Sequence, residues 1–337
     1  MKNTSNASRR EILTSIPAAG AAAALGDIGL GEARAAVRSP SPLKAAFSNA
    51  GLQSSWCAQG KAAAEYWGNL FNVEVTWFDG QLDAAKQRAA IEAMASQKWD
   101  FVAIQPISVS ALLEPVKKMI DAGITVIAMD AMIVPSGPES IGVYTLIRAD
   151  NVTMGRLVTR ALVRKLGGEG KIIMTQGPLD NTAVQDRTKG FNIVVKEYPG
   201  IEVLDTQPAD WDVSKVAQQW RAYLAKYPQI DAAFFHSDDM ALAAYEVMKA
   251  YGRTSILIGG IDAMPPALDA VLEGRMFVTM RNPACLIHGS AIIAGVAALQ
   301  AGEKAGGRVP RYVVIDGPLV TFENAAGMWW MQDQFLM

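Results

Sequence analysis

The chain has 337 residues, half of them hydrophobic, and carries 31 basic against 33 acidic residues for a net charge of −2. That is room for about two domains with sizeable cores. The charge balance lacks the basic footprint of a nucleic-acid binder, and no uninterrupted apolar run long enough to span a membrane follows the N-terminal region.

Residues 1–35 differ from the rest. "SRREIL" (Ser8 to Leu13) sets two arginines ahead of the weakly apolar "IPAAGAAAALGDIGLG", and Ala33-Arg34-Ala35 follows as a small-x-small cleavage pattern. This predicts a twin-arginine export signal, although Asp27 interrupts its apolar part; the alternative is a tail with a chance arginine pair. Export would place Cys57 and Cys285 in an oxidising compartment, where they either pair or stay as separate buried thiols. Cys57 has no lipid-attachment context.

From Leu43 on, apolar strands alternate with helical patterns. Strands are predicted over 43–48, 73–78, 100–105 and 124–129, then over 171–176, 201–206, 231–236, 255–260, 276–280 and 311–316. Most are near-continuous apolar runs, as expected of parallel strands covered on both faces. Helices are predicted over 82–97, 215–227 and 238–251 among the intervening segments. Gly137-Pro138 and Gly306-Gly307 mark turns. The alternation runs through about 43–145 and 150–280 without a linker-like stretch between them. The expected fold is α/β, with two doubly wound parallel-sheet lobes.

"FFHSDDMALAAYEVMKAYG" (Phe234 to Gly252) places a histidine, a serine and two aspartates behind an apolar run. Ser237 or Asp238 can cap the helix that follows, and acids suit the positive end of its dipole. A catalytic triad needs a base oriented from elsewhere in the fold. The chain has two histidines, His236 and His288, and no second cluster of metal-ligating residues. "GGEGK" (Gly167 to Lys171) precedes a strand and lacks the Ser/Thr of a phosphate loop. No catalytic residue, metal or cofactor is therefore expected.

Open α/β sheets bind ligands beyond the carboxyl ends of their strands. Asn49, Gln105, Asp130, Ser237, Asp262, Arg281 and Asn282 fall at such ends. This polar ring has charges of both signs and no nucleophile–base pair, which suits an uncharged, hydroxyl-rich ligand. Hydroxyls donate to Asp and accept from Arg.

Seven segments in order resemble the periplasmic sugar-binding proteins of ABC importers, of the ribose-binding type. They are "DGQLDAAKQRAAIEAM", "AIQPISVSALLEPVKKMIDAGITVIAMD", "RADNVTMGRLV", "QDRTKGF", "QPADWD", "HSDDMALAAYEVMKAYG" and "GGIDAMPPALDAVLEGRMFVTMRNP". The similarity runs from about Leu43 to Gly317. It implies lobes of 43–148 plus 282–315 and of 149–281 plus 316–337, with crossings near Arg148–Asp150, Met280–Asn282 and Ile315–Gly317. It implies hydroxyl-binding aspartates at Asp130 and Asp262, a clamp arginine at Arg187 and a stacking aromatic at Trp211. Gln105 stands where an asparagine is common, Arg281 or Asn282 near a hinge contact, and Trp56 as an opposite wall. The departures are Ser237 in place of an asparagine, Ala131 where an arginine often follows the aspartate, and Ile261 where an aromatic is common. They set ribose itself in doubt and leave another pentose, a hexose or a polyol.

The resemblance implies a periplasmic monomer whose partners are a sugar or polyol ligand, a membrane permease and a chemoreceptor sharing the permease surface. The alternatives are an α/β sugar-modifying enzyme and the core of a sugar-sensing transcription regulator. Scarce histidine argues against the first. Residues 1–42, which show no helix-turn-helix, argue against the second.

Overall fold

The structure, a computed structural model, describes residues 39–109, 111–302 and 309–332. The export signal and the Gly306-Gly307 turn read from the sequence lie outside the described residues.

Two six-stranded sheets organise the chain. The first takes β1 (Leu43–Asn49), β2 (Val73–Asp79), β3 (Phe101–Ile104), β4 (Thr125–Met129), β5 (Thr145–Arg148) and β11 (Tyr312–Val314), in the order β11-β5-β4-β3-β1-β2. The second takes β6 (Glu169–Thr175), β7 (Gly200–Asp205), β8 (Ala232–Phe235), β9 (Leu257–Asp262), β10 (Val278–Arg281) and β12 (Leu319–Val320), in the order β12-β10-β9-β8-β6-β7. All pairings are parallel except β10 with β12. The α/β fold of two parallel-sheet lobes expected from the alternation is thus present.

Around the first sheet lie α1 (Ser55–Phe71), α2 (Ala84–Ala95), α3 (Leu113–Asp121) and α9 (Ala284–Ala301). Around the second lie α4 (Asn151–Lys165), α5 (Thr182–Glu197), α6 (Val213–Lys226), α7 (Asp238–Ala250), α8 (Pro265–Leu272) and α10 (Phe322–Gln332). Helices cover both faces of each sheet, so β3 and β8 are buried at every position and read as unbroken apolar runs. Four apolar clusters result, two for each sheet, one per face. By length and composition α9 is apolar enough to cross a membrane, but most of it is buried inside the first lobe.

Two strands escaped the sequence reading. β5 is four residues long and β12 two; each is made a strand by pairing, β5 with β4 and β11, and β12 with β10. The later strands also reach further than their apolar runs. Asp262 is the last residue of β9 and Arg281 the last of β10, rather than residues beyond the strands.

The chain passes between the sheets after β5, after β10 and after β11. These segments lie side by side. Ile315 N donates to Arg148 O at 2.9 Å, Asp150 N to an Asp316 carboxylate oxygen at 2.8 Å, and Arg281 N to Pro318 O at 3.0 Å. Cys57 and Cys285 are both buried free thiols.

Candidate functional site

A narrow cavity of about 30 Å³ opens between the lobes at the carboxyl ends of the strands. The first lobe lines it with Trp56, Gln105 and Asp130, and the second with Arg187, Trp211, Ser237 and Asp262; Asn282 reaches it from the second crossing. The structure therefore brings together eight of the ten residues singled out from the sequence.

Asp130 follows β4 with φ of 59°, a left-handed conformation that Asp tolerates better than most residues. Its N–H donates to Ile147 O at 2.8 Å, and one carboxylate oxygen accepts from Asn282 Nδ2 at 3.2 Å. Asp262 has φ of 117° and no protein hydrogen bond to its carboxylate among the described residues. Burial pushes its pKa well above the usual range, against the pull of the Arg187 charge. Arg187 is 3% exposed and anchored at two of its nitrogens. Nε donates to Asn151 Oδ1 at 2.8 Å and one terminal nitrogen to His236 O at 2.5 Å. Gln105 Oε1 accepts from Ala50 N at 2.7 Å.

Trp56 occupies the first turn of α1, and its indole N–H donates to Asn282 O at 3.1 Å. His288 packs against it with ring centroids 5.1 Å apart. Trp211 packs against apolar clusters of both lobes. Indole walls beside charged and amide groups match a ring or chain that has apolar C–H surface and many hydroxyls.

Two of the expected contacts are corrected. Asn49 is fully buried behind the cavity, where Nδ2 donates to Cys57 O at 3.1 Å and holds the start of α1. Arg281 is also fully buried; its guanidinium donates to Asp262 O at 2.9 Å and to Gln59 Oε1 at 3.0 Å. It supports the backbone of Asp262 rather than lining the cavity. Both sit at strand ends, but their side chains are held by protein partners, Asn49 by Cys57 O and Arg281 by Asp262 O and Gln59 Oε1, instead of facing the cavity.

The "HSDD" stretch is also resolved. Ser237 caps α7, its Oγ accepting from Met240 N at 3.4 Å, while it lines the cavity. Asp238 is fully buried and accepts from Thr279 Oγ1 at 2.7 Å and Met264 N at 3.1 Å. Burial raises its pKa to about 8 despite those bonds. Asp239 reaches across to Ser55 of the other lobe. The two aspartates are thus more than helix-starting acids. Burial, with the Arg187 charge in the same direction, lowers the pKa of His236 far below its usual value. Neither His236 nor His288 lines the cavity.

The sequence reading missed further contributors. Ser54, Cys57 and Leu82 also line the cavity. Gln87 holds the loop after β3, donating to Gln105 O at 2.9 Å and accepting from Ile107 N at 2.9 Å. Asn181 Nδ2 donates to Pro106 O at 3.0 Å across the cleft, and Ser108 Oγ to Asp180 at 2.5 Å. A buried Gln inside a helical pattern was the one available signal. The loop contacts had none.

A profile of the periplasmic binding protein domain matches residues 45–304. The xylitol-binding protein of Mycolicibacterium smegmatis is 29% identical over 227 residues, which cover 67% of this chain and 64% of that protein, a little under two thirds of its length. The ribose import binding protein of Bacillus subtilis is 29% identical over 215 residues, covering 64% of this chain and 68% of that one. A crystal structure of an ABC transporter solute binding protein from Mycobacterium smegmatis with bound glycerol aligns at a TM-score of 0.77 and 28% identity, covering 85% of this chain and 96% of that one. A profile match over most of the chain, two parallel-sheet lobes and a cavity between them agree, and the chain belongs to the periplasmic binding protein family.

Proposed function

We propose that the protein is the substrate-binding component of an ABC importer, which closes on a monosaccharide or polyol and delivers it unaltered to a membrane permease. The observation that carries this is the inter-lobe cavity, which Asp130, Arg187, Asp262 and Asn282 line together with Trp56 and Trp211. Hydrogen bonds to charged groups contribute roughly 1.5–3 kcal/mol each. Three or four of them supply much of the roughly 8 kcal/mol that micromolar binding requires. Contacts from both lobes make the ligand favour the closed state. Similarity to xylitol-binding and ribose import binding proteins, and to a glycerol-bound structure, supports a polyhydroxylated ligand.

The lobes comprise 43–148 plus 282–315 and 149–281 plus 316–337, a division supported by which sheet each strand joins. The twin-arginine pattern in residues 1–35 supports export before action in the periplasm. The protein acts as a monomer; its lobe rims face the permease, and a chemoreceptor reads the same surface.

The test is calorimetric and thermal-shift titration with pentoses, hexoses and polyols, followed by chromatography of the recovered ligand. Binding with unchanged ligand is expected. Turnover, or no binding across the panel, would overturn the reading.

A further inference from the structure

Two turns, one from each lobe, share an unusual backbone. Gln81 and Leu82 both have φ of 53°, and Asp210 and Trp211 have 57° and 60°. None is glycine. Left-handed backbone costs an L-residue about 1–2 kcal/mol, and such strain persists where the surroundings over-determine it, often at ligand clamps. Here the surroundings are identifiable. Leu82 N donates to Ala50 O at 2.7 Å, Asp212 N to Ala209 O at 2.8 Å, and Lys215 pairs with Asp210 at 2.8 Å.

The two turns place Leu82 and Trp211 in one position relative to the ligand space. Both are partly buried, and both pack against the same apolar cluster of the first lobe. Both line the inner cavity, and both line a second, outer pocket of about 450 Å³ that is open to solvent. No other described residue lines the two spaces together. Leu82 and Trp211 are therefore a shared wall. Outside it stand Gln53, Gln81 and Lys86 of the first lobe and Asp210 and Lys215 of the second. That set donates and accepts hydrogen bonds, so it can take a hydroxylated substituent once one can reach it.

We propose that Leu82 is a specificity-determining residue: with Trp211 it closes the inner cavity against the outer pocket and restricts the protein to free, unsubstituted sugars or polyols. The outer pocket is a subsite for a glycosidic or ether substituent that this wall keeps out of use. The inference rests on the proposed function, since it presumes a polyhydroxylated ligand in the inner cavity.

The experiment compares wild type with Leu82→Gly and Leu82→Asn. Glycine and asparagine both tolerate left-handed backbone, so both variants keep the turn. The probes are xylitol, D-xylose, D-ribose and D-galactose, each beside its methyl glycoside or mono-O-methyl ethers, titrated by calorimetry. An extra methyl group against a closed apolar wall typically weakens recognition on the order of 10–200-fold. Wild type is expected to show a penalty of that size for derivatives at the hydroxyl nearest Leu82. Both variants should shrink that ratio of substituted to unsubstituted affinity to about threefold, whatever they do to the affinity for the unsubstituted probe. Binding of unsubstituted probes by wild type, with a methyl penalty unchanged in both variants, overturns the role of Leu82 and leaves the proposed function standing. Failure of wild type to bind any unsubstituted probe overturns the proposed function, and this inference falls with it.

Discussion

Asp239 in the second lobe accepts two hydrogen bonds from Ser55 in the first, from its backbone N–H at 2.8 Å and its Oγ at 2.7 Å. Ser55 opens α1, and the residue before it, Ser54, makes no side-chain capping bond. One lobe therefore caps a helix of the other. Opening the cleft would leave the first turn of α1, which carries Trp56, with a free backbone donor.

Asp239→Ala should accordingly weaken the closed state without touching the ligand. Losing an N-cap typically costs about 0.5–2 kcal/mol, which corresponds to roughly 2- to 30-fold in affinity. Stopped-flow tryptophan fluorescence should show most of it as faster ligand release. An unchanged release rate would refute the latch.

Asp130 and Arg187 face each other's lobe across the cavity, both nearly fully buried. Truncating one partner of a buried, charged hydrogen bond typically costs 2–5 kcal/mol. Asp130→Ala and Arg187→Ala should each reduce ligand affinity by roughly 30- to 5,000-fold. Arg187→Ala should also lower the melting temperature, because it strands Asn151 Oδ1 and His236 O. Asp130→Asn keeps the left-handed backbone and the bond to Asn282, so it isolates the carboxylate charge. Retained binding in both alanine variants would remove the site assignment.

The ligand-free protein should lose stability as pH rises above about 6.5. The folded pKa of Asp238 is raised to about 8 and that of Asp262 lies well above its usual value, both through burial. Each raised carboxyl favours the folded state below its unfolded pKa of about 4, and that advantage is lost as pH rises through the folded value. His236 and His288 are lowered by burial, His288 to about 4. Their contribution is present above about pH 6.5 and lost as pH falls toward their folded values. Between about pH 6.5 and 8 the histidines are silent, so the melting temperature should fall with rising pH. Asp238→Asn should flatten that segment, as read by calorimetry; an identical slope would contradict it.

Gly155 of α4 packs where an added Cβ would stand 2.2 Å from Arg187 O, and Gly190 of α5 where one would stand 2.2 Å from Val152 O. The obstacles are backbone atoms, which cannot swing aside. Gly155→Ala should destabilise the second lobe by about 1–3 kcal/mol through overpacking. By pushing α5 outward it should also displace Arg187 and weaken ligand binding. Chemical denaturation and calorimetry on the same preparation would separate the two effects. Unaltered stability would show that the helices tolerate a wider separation.

Much of the fold was legible because parallel strands covered on both faces must be apolar at nearly every position. β3, β4 and β8 announce themselves in this way. β5 and β12 did not, since pairing rather than composition makes them strands. Within the site, Asp130, Arg187, Trp211 and Asp262 were found from segments that resemble a known family. Asn49 and Arg281 share the same strand-end placement and were misassigned as cavity-lining. A strand end locates a residue near the cavity, but the hydrogen-bond partners around it decide whether its side chain faces that space: Arg281 and Asp262 are register partners, and only Asp262 lines the cavity.

By itself the sequence determined the lobes, the polar ring at the strand ends and the scarcity of groups suited to catalysis, because burial and strand–helix alternation leave their mark on composition. Only the tertiary structure decided which polar residues face the ligand space and which brace it, that Asp239 caps a helix of the opposite lobe, and that Leu82 shares a wall with Trp211. The last two join residues more than a hundred positions apart, Ser55 with Asp239 and Leu82 with Trp211, and only the closure of the two lobes sets such distances.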